Sequence, residues 1–376
     1  MSTDDFEYRD ALAKGLAHRR GAGLNPGNRF EANRFHLSGE ERDRQLVEQT
    51  ERDSDARPVR VPLEVIHDRT VTIINRVAST ADVPFDWTLN PYRGCEHGCI
   101  YCFARPYHEY LGFSCGLDFE TKIVAKHNAP ELLRRELAAK SWRGEPIVMS
   151  AITDVYQPIE HQLRITRGCL EVLAECGQAV STMTKSALVL RDIDLWAKLG
   201  AQNAARVTVT LVTLDDTLAK KLEPRAAAPA RRLAVLRELV KAGVPVSVNI
   251  APIIPGLTDV ELPRILQAVA DAGARRVAWV LLRLPYQLKD LFLDWMQREL
   301  SPDRARHIES LLRQARGGKL YQADTASRRR GNGAIAAQVA GIFDVFTRKY
   351  GINRDVRPMN TRAFRPPALD GQLDLF

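Results

Sequence analysis

No apolar run in the chain approaches the roughly 18 residues of a membrane-spanning helix, so no segment is expected to cross a bilayer. Cysteine is scarce, at six in 376 residues, which excludes the disulfide-dense frameworks of small secreted domains. The opening MSTDDFEYRD is acidic and polar, so no secretory leader is expected there, and the cytoplasm is the expected compartment. No repeat of solenoid length is present, and no second cysteine knuckle follows the first, as a zinc finger would require. Acidic residues are outnumbered, 46 against 54 Lys and Arg, for a formal charge of +8. That surplus permits an acidic partner such as nucleic acid without demanding one.

From about residue 85 the chain alternates between two periodicities. FDWTLNP, PIVMSAI (146–152), AVSTMT (179–184), RVTVTLV (206–212), VPVSVNIAPI (244–253) and RRVAWVLL (275–282) read as strands. APELLRRELAAK, HQLRITRGCLEVLAEC, DIDLWAKLG, ARRLAVLRELVKAG and VELPRILQAVADAG read as helices between them. Gly200, Gly243 and Gly273 are the expected stops of three. This pattern predicts an α/β fold with a parallel sheet whose strand C-termini form the active face. Six such units suit a barrel or partial barrel, with a doubly wound sheet as the alternative. Residues 1–80, polar and basic in patches, read as an N-terminal extension, an arm over the main domain of 81–300. A helical C-terminal region follows over 301–355, and the Pro-rich 356–376 is expected to be a disordered tail.

CEHGCIYC places Cys95, Cys99 and Cys102 in one short stretch with no fourth ligand beside them. His108 or Cys115 could complete a zinc site in principle, but thiolates alone suit iron–sulfur clusters better. Three cysteines on a four-iron cubane leave one iron open. C-x3-C-x2-C with the aromatic Tyr101 before its last cysteine resembles the radical S-adenosylmethionine (SAM) superfamily. The wider stretches NPYRGCEHGCIYCFARPYHEYLGF, GLDFETKIVAK, TDVYQPIE, TKSALVLRDIDL, TLDDTLAKKLEPRAAAPARRL, APIIPGLTD and LLRLP resemble its spore photoproduct lyase-like, DNA repair photolyase-related group. The likeness covers roughly residues 20 to 350.

The resemblance implies a partial (β/α)6 barrel and a 4Fe-4S cluster on Cys95, Cys99 and Cys102. It implies SAM on the open iron, an electron donor, and cleavage of SAM to a 5′-deoxyadenosyl radical that takes hydrogen from a substrate. Residue by residue, Tyr101 is expected against the adenine and Ser150, Thr153 and Asp154 by the methionyl amine. Lys185 is expected near the carboxylate, and Thr210 at the ribose. The plainer readings are that Thr153 and Asp154 cap the next helix and that Lys185 is a solvated loop lysine. Lyases of the group return a hydrogen from a cysteine well downstream of the cluster, and none stands at a comparable distance here. Cys115 is the weak candidate for that role and is more simply a packed thiol; Cys169 and Cys176 read as core.

Two further stretches stand out. Arg328, Arg329 and Arg330 precede Gly-Asn-Gly and a helix, an arrangement that can hold phosphate or nucleic acid but is commonly only a solvated face. Glu223 and Arg225 of EPRA either line the active face or form an ion pair. The terminal QLDLF (Gln372, Leu373, Asp374, Leu375, Phe376) resembles the peptide by which bacterial polymerases and repair proteins hold the sliding clamp; a tail packed on its own domain is the alternative. The expected function is a radical SAM enzyme acting on nucleic acid, in a DNA repair-like lyase or modification reaction. Radical SAM modification of RNA, peptide or metabolite, and a non-catalytic iron–sulfur module binding DNA or the clamp, are the alternatives.

Overall fold

The computed structural model describes residues 20–30, 62–78, 83, 85–322, 324, 327–354 and 357–368. Its strands are β1 (Glu64–His67), β2 (Ile74–Arg76), β3 (Trp87–Leu89), β4 (Tyr92–Arg93), β5 (Lys122–Ala125), β6 (Ile147–Met149), β7 (Val180–Thr184), β8 (Ala205–Thr210), β9 (Val246–Ile253) and β10 (Val277–Leu281). One sheet has the order β10-β9-β8-β7-β6-β3-β2, and β3 and β6 to β10 are mutually parallel. β2 closes its other edge antiparallel to β3. Each parallel strand lies beside the next one in the chain, with no reversal of winding. That order is the singly wound partial barrel; a doubly wound sheet would reverse at a switch point. All six strands expected from the β-branched stretches are present.

Side chains alternate across these strands. Val180, Val207, Val209, Val248 and Ile250 are buried in one core with Leu170, Leu173, Trp196, Leu236 and Leu266 of the surrounding helices. The opposite face carries Ser181, Met183, Thr208, Ser247 and Asn249. Thr208 Oγ1 and Ser247 Oγ stand 3.3 Å apart there, and Met183 is 40% exposed. An apolar back and a polar front make the inner wall a cradle rather than a packed barrel centre. Among the described residues no helix is long and apolar enough to cross a membrane.

Several local expectations are corrected. The helix read through HQLRITRGCLEVLAEC breaks at Arg164 (φ 52°) into Glu160–Leu163 and Ile165–Glu175. Buried Glu160 causes the restart: its carboxylate accepts from Thr166 N (3.0 Å) and Arg167 N (3.3 Å), satisfying the first turn of the second helix. Gly200 does not stop its helix, which runs Ile193–Ala201, and Asn203 takes the left-handed turn instead. Gly243 and Gly273 do, at φ 76° and 91°.

A second sheet, β1-β5-β4, holds the chain just before the cysteines. Residues 20–30, within the stretch read as an N-terminal arm, pack on the segments around Gly98, Glu109 and Glu120. Gly21 N and Ala22 N donate to Glu120 at 3.0 and 2.8 Å, and Asn28 Nδ2 donates to Glu109 O at 2.7 Å. The arm lies so close that a Cβ on Gly21 would stand 1.8 Å from Gly98 O, and one on Gly116 would stand 2.0 Å from Leu24 O. Residues 357–368, expected to be disordered, are instead laid across the N-terminal ends of the strands. Arg365 N donates to Cys176 O, Asn360 N to Asn203 O and Arg206 Nη2 to Arg357 O, each at 2.8 Å. Backbone pairing and the partial burial of Phe364 against Gly144 outweigh the Pro-rich composition there.

Candidate functional site at the barrel mouth

The cysteine loop follows β4 at the C-terminal face of the sheet. Cys95 N donates to Phe119 O (2.8 Å) and Cys102 N to Cys99 O (3.2 Å). All six cysteines are free thiols. Beneath the loop, fully buried Arg105 gathers the carbonyls of Cys99 (2.9 Å), Gly98 (3.1 Å), Cys115 (3.2 Å) and Gly116 (2.8 Å), and pairs with Glu120 at 2.5 Å. One planar guanidinium with five donors thus fixes the path of two neighbouring segments.

The loop after β6 grips it from one side. Thr153 Oγ1 donates to Gly94 O (2.6 Å), Glu96 N to Gln157 Oε1 (2.9 Å) and Ile159 N to Glu96 Oε1 (2.6 Å). His97 Nδ1 stands 3.1 Å from Asp154 Oδ2. Asp154 also accepts from Tyr156 N (2.9 Å), Thr184 Oγ1 (2.8 Å) and Lys185 N (2.9 Å). Burial works against its charge, but His97 and these donors hold its carboxyl down at about 2. Neither Thr153 nor Asp154 caps the next helix, whose N-cap is Ile159. They tie the cysteine loop to β7.

EPRA grips the other side. Ile100 N donates to Leu222 O (3.1 Å), Arg225 N to His97 O (3.3 Å) and Arg225 Nη2 to Glu96 Oε2 (2.7 Å). Tyr101 OH donates to Glu223, which pairs on its other oxygen with Arg232. Arg232 Nη1 reaches Thr210 O at 3.1 Å. Glu223 and Arg225 are therefore both ion-paired, with Arg232 and Glu96 respectively. Lys185 Nζ lies 5.7 Å from the Tyr101 ring centroid. Burial opposes its charge, but Cys99, Glu223 and Cys102 bring it to about 12. Burial pushes the Cys99 thiol up to about 12 against the pull of Lys185, and it pushes Cys95 well above its ordinary value. Thiols in such a place ionise when a metal takes the charge.

Thr210 and Asn249 are partners across β8 and β9. Thr210 Oγ1 and Asn249 Oδ1 are both buried and lack a hydrogen-bond partner among the described residues. Two adjacent unsatisfied oxygens on the polar wall fit a hydroxyl-bearing ligand such as a ribose. Ser150, at the end of β6 with φ 77°, accepts from Met183 N at 2.8 Å. Tyr101, Ser150, Thr153, Asp154, Lys185 and Thr210 thus all lie on the face that carries Cys95, Cys99 and Cys102. Among the described residues no three His, Cys, Asp or Glu side chains gather as for a single bound ion. The donor set is instead three thiols along one loop with Lys185 and Arg232 behind them, and it fits an anionic multi-iron cluster better than one zinc.

Cys115 is fully buried with Ala22, Leu24 and Leu117, in a packed position, and burial holds its thiol at about 12. Cys169 and Cys176 are core. Arg330 stacks on Trp279 at 4.1 Å, apart from the role expected for the arginine run, while Arg328 and Arg329 lie within electrostatic reach of Arg283. Gln372 to Phe376 lie outside the described residues. The sequence reading missed Arg105, Glu120 and Asn249. Arg105 had a signal in its closeness to Cys102; Glu120 and Asn249 had none, since Glu120 meets Gly21 and Ala22 only through the fold and Asn249 meets Thr210 only across two strands.

A family model described as the radical SAM superfamily matches residues 89–269. An uncharacterised protein of Mycobacterium tuberculosis is 39% identical over 227 residues, 60% of this chain and 67% of that protein. A radical SAM Nα-GlyT isomerase of Pseudomonas phage M6 is 24% identical over 231 residues, 61% of this chain and 46% of its own length. Spore photoproduct lyase complexed with dinucleoside spore photoproduct superposes with a TM-score of 0.51 at 14% identity, over 77% of this chain and 80% of that one. That likeness is one of fold. Members of the superfamily work with a 4Fe-4S cluster and SAM, which supply one-electron cleavage of a carbon–sulfur bond. Singly wound strands, a three-thiol loop at their C-terminal ends and the family match agree: this chain is an enzyme of the radical SAM superfamily.

Proposed function

We propose that Cys95, Cys99 and Cys102 hold the 4Fe-4S cluster, that SAM lies along the wall of Tyr101, Ser150, Lys185 and Thr210, and that the substrate is nucleic acid, changed in a DNA repair-like lyase or modification reaction. Thr153 and Asp154 act by positioning the loop. One observation carries the substrate class: the rim beside the loop is built from exposed aromatics interleaved with arginines. Phe103, Tyr107, Phe30, Tyr110 and Tyr286 are all exposed. Arg29 lies 3.9 Å from the Tyr286 ring and 4.7 Å from that of Phe30, and Arg283 lies 4.3 Å from that of Phe103. Aromatic faces stack unpaired bases and guanidinium groups meet phosphates. The net charge of +8 has the matching sign. A cytoplasmic setting with an electron donor suits such an enzyme.

The test is anaerobic incubation of reconstituted protein with SAM, dithionite and damaged DNA oligonucleotides. 5′-Deoxyadenosine together with an altered oligonucleotide is expected. No 5′-deoxyadenosine under any condition would sink the cofactor assignment, and 5′-deoxyadenosine with no bound or altered oligonucleotide would sink the substrate class. QLDLF is proposed to hold the bacterial sliding clamp. Removing residues 372–376 should abolish clamp binding, and unchanged affinity would refute it.

A further inference from the structure

We infer that Arg283 and Arg316 form a phosphate-binding site at the barrel mouth, beside the cysteine loop. The inference rests on the nucleic-acid reading only for the source of the phosphate. The other deeply buried arginines are neutralised by carboxylates. Arg105 has Glu120, and Arg232 has Glu223. Arg316 is fully buried and has no carboxylate partner among the described residues. Its Nε donates to Leu282 O at 3.0 Å, and its Nη2 to Leu282 O at 2.5 Å and Leu281 O at 3.2 Å. Its Nη1 is buried with no acceptor among the described residues.

Arg283 follows the end of β10. It lies over the Phe103 ring at 4.3 Å and makes no hydrogen bond or ion pair among the described residues. Other cations stand within electrostatic reach of it: Arg316, and also Arg328 and Arg329. The backbone fixes this crowding, since Leu281 N donates to Arg329 O at 2.8 Å. A buried guanidinium without a counter-charge is costly, and the like charges around it add to the cost. An oxyanion between Arg283 and Arg316 removes both penalties. It supplies the acceptor that Nη1 lacks and matches the planar fork of Arg283.

Phosphate is favoured over a carboxylate because a tetrahedral anion offers acceptors in several directions, enough for both guanidinium groups at once. The location adds to this. Phe103 directly follows Cys102, so a phosphate held here places the adjoining sugar and base at the cysteine loop, with the exposed rings of Phe103 and Tyr107 at hand.

The experiment uses reconstituted holoenzyme with three probes: inorganic phosphate, a 5′-mononucleotide and a short single-stranded oligonucleotide. Loss of one charged hydrogen-bonding group weakens binding by roughly tenfold or more, so Arg283→Gln should bind the phosphate-bearing probes at least tenfold more weakly. Arg283→Lys should recover part of that. Because Arg316 also braces β10, an Arg316 variant can fail to fold; Arg283→Met keeps the test open. In phosphate-free buffer Arg283→Met should melt at or above the wild-type temperature, since it removes an uncompensated charge. It should also lose the rise in melting temperature that the probes give wild type. The inference is overturned if none of the probes binds wild type, or if Arg283→Gln binds them as wild type does. Binding of the mononucleotide that is lost in Arg283→Gln, with no binding of the oligonucleotide, supports the site and assigns it to a free nucleotide. In that case the nucleic-acid reading alone falls.

Discussion

Replacing Glu120 by alanine tests the link between the arm and the cysteine loop. Its carboxylate is fully buried and accepts from Arg105 Nη2 at 2.5 Å, Ala22 N at 2.8 Å and Gly21 N at 3.0 Å. Removing one partner of a buried ion pair costs about 3–5 kcal/mol. Each backbone N–H left without its acceptor adds about 1 kcal/mol. Water reaching the gap as the arm lifts offsets part of this, which leaves ~4–6 kcal/mol. Unfolding entropy of ~2.1 cal/mol/K per residue amounts to ~0.8 kcal/mol/K for a chain of this length. The melting temperature should therefore fall by roughly 5–8 °C. The assay is circular dichroism on apoprotein, so that cluster occupancy does not enter, followed by iron content after reconstitution. Iron uptake should fall as well, because Arg105 also fixes the carbonyls of Gly98 and Cys99. A Glu120→Ala protein that melts within about 1 °C of wild type and takes up full iron would refute the claim that this pair holds the loop.

Glu223→Ala should cost about 3–5 kcal/mol and lower iron uptake, since it strips the counter-charge from Arg232 and Lys185. Tyr101→Phe should cost only about 1–2 kcal/mol, and the reverse order in thermal melts would be fatal to this account. Burial pushes His108 down to about 4 against the pull of Asp118. Its folded value lies below the unfolded value of about 6.5, so the unfolded state takes up the proton first as pH falls. Stability should decline from about pH 6.5 to pH 4, by about 3 kcal/mol in all. Urea titrations across that range should show the decline in wild type and not in His108→Phe; equal slopes would exclude His108 as its source. Cys115→Ala should lose about 1 kcal/mol of stability and retain both SAM cleavage and substrate turnover. Retained cleavage with turnover abolished would instead make Cys115 the hydrogen donor.

The parts legible in the sequence are those set by local pattern. β-Branched alternation marked the six parallel strands, and the spacing of Cys95, Cys99 and Cys102 marked the site. Lys185 and Thr210 came from the family resemblance, and they fall on the same face. What stayed hidden depends on contacts between distant residues. β4 and β5 are two and four residues long, too short for a periodicity to register. The helix Leu288–Glu299 was not read at all. Glu120 looks like an ordinary solvated charge until the fold brings Arg105, Gly21 and Ala22 to it. Arg316, in RQARGGK, reads as one more surface cation, although it is fully buried. A charge in a sequence carries no mark of whether its partner is water or a carboxylate a hundred residues away.

The path of residues 357–368 has a consequence for traffic around the enzyme. It runs beneath the strand N-termini, past Asn203 and Cys176, to Ala368, whose carbonyl meets Arg134 at 3.4 Å. The chain therefore leaves from the floor of the barrel, at the pole opposite the cysteines. The eight residues that follow reach at most about 28 Å when fully extended. On the proposal that Gln372 to Phe376 hold the sliding clamp, the clamp would be moored on the side of the strand N-termini, away from the mouth. Recruitment and chemistry would on that proposal occupy separate ends of the molecule, and neither would have to let go for the other to proceed.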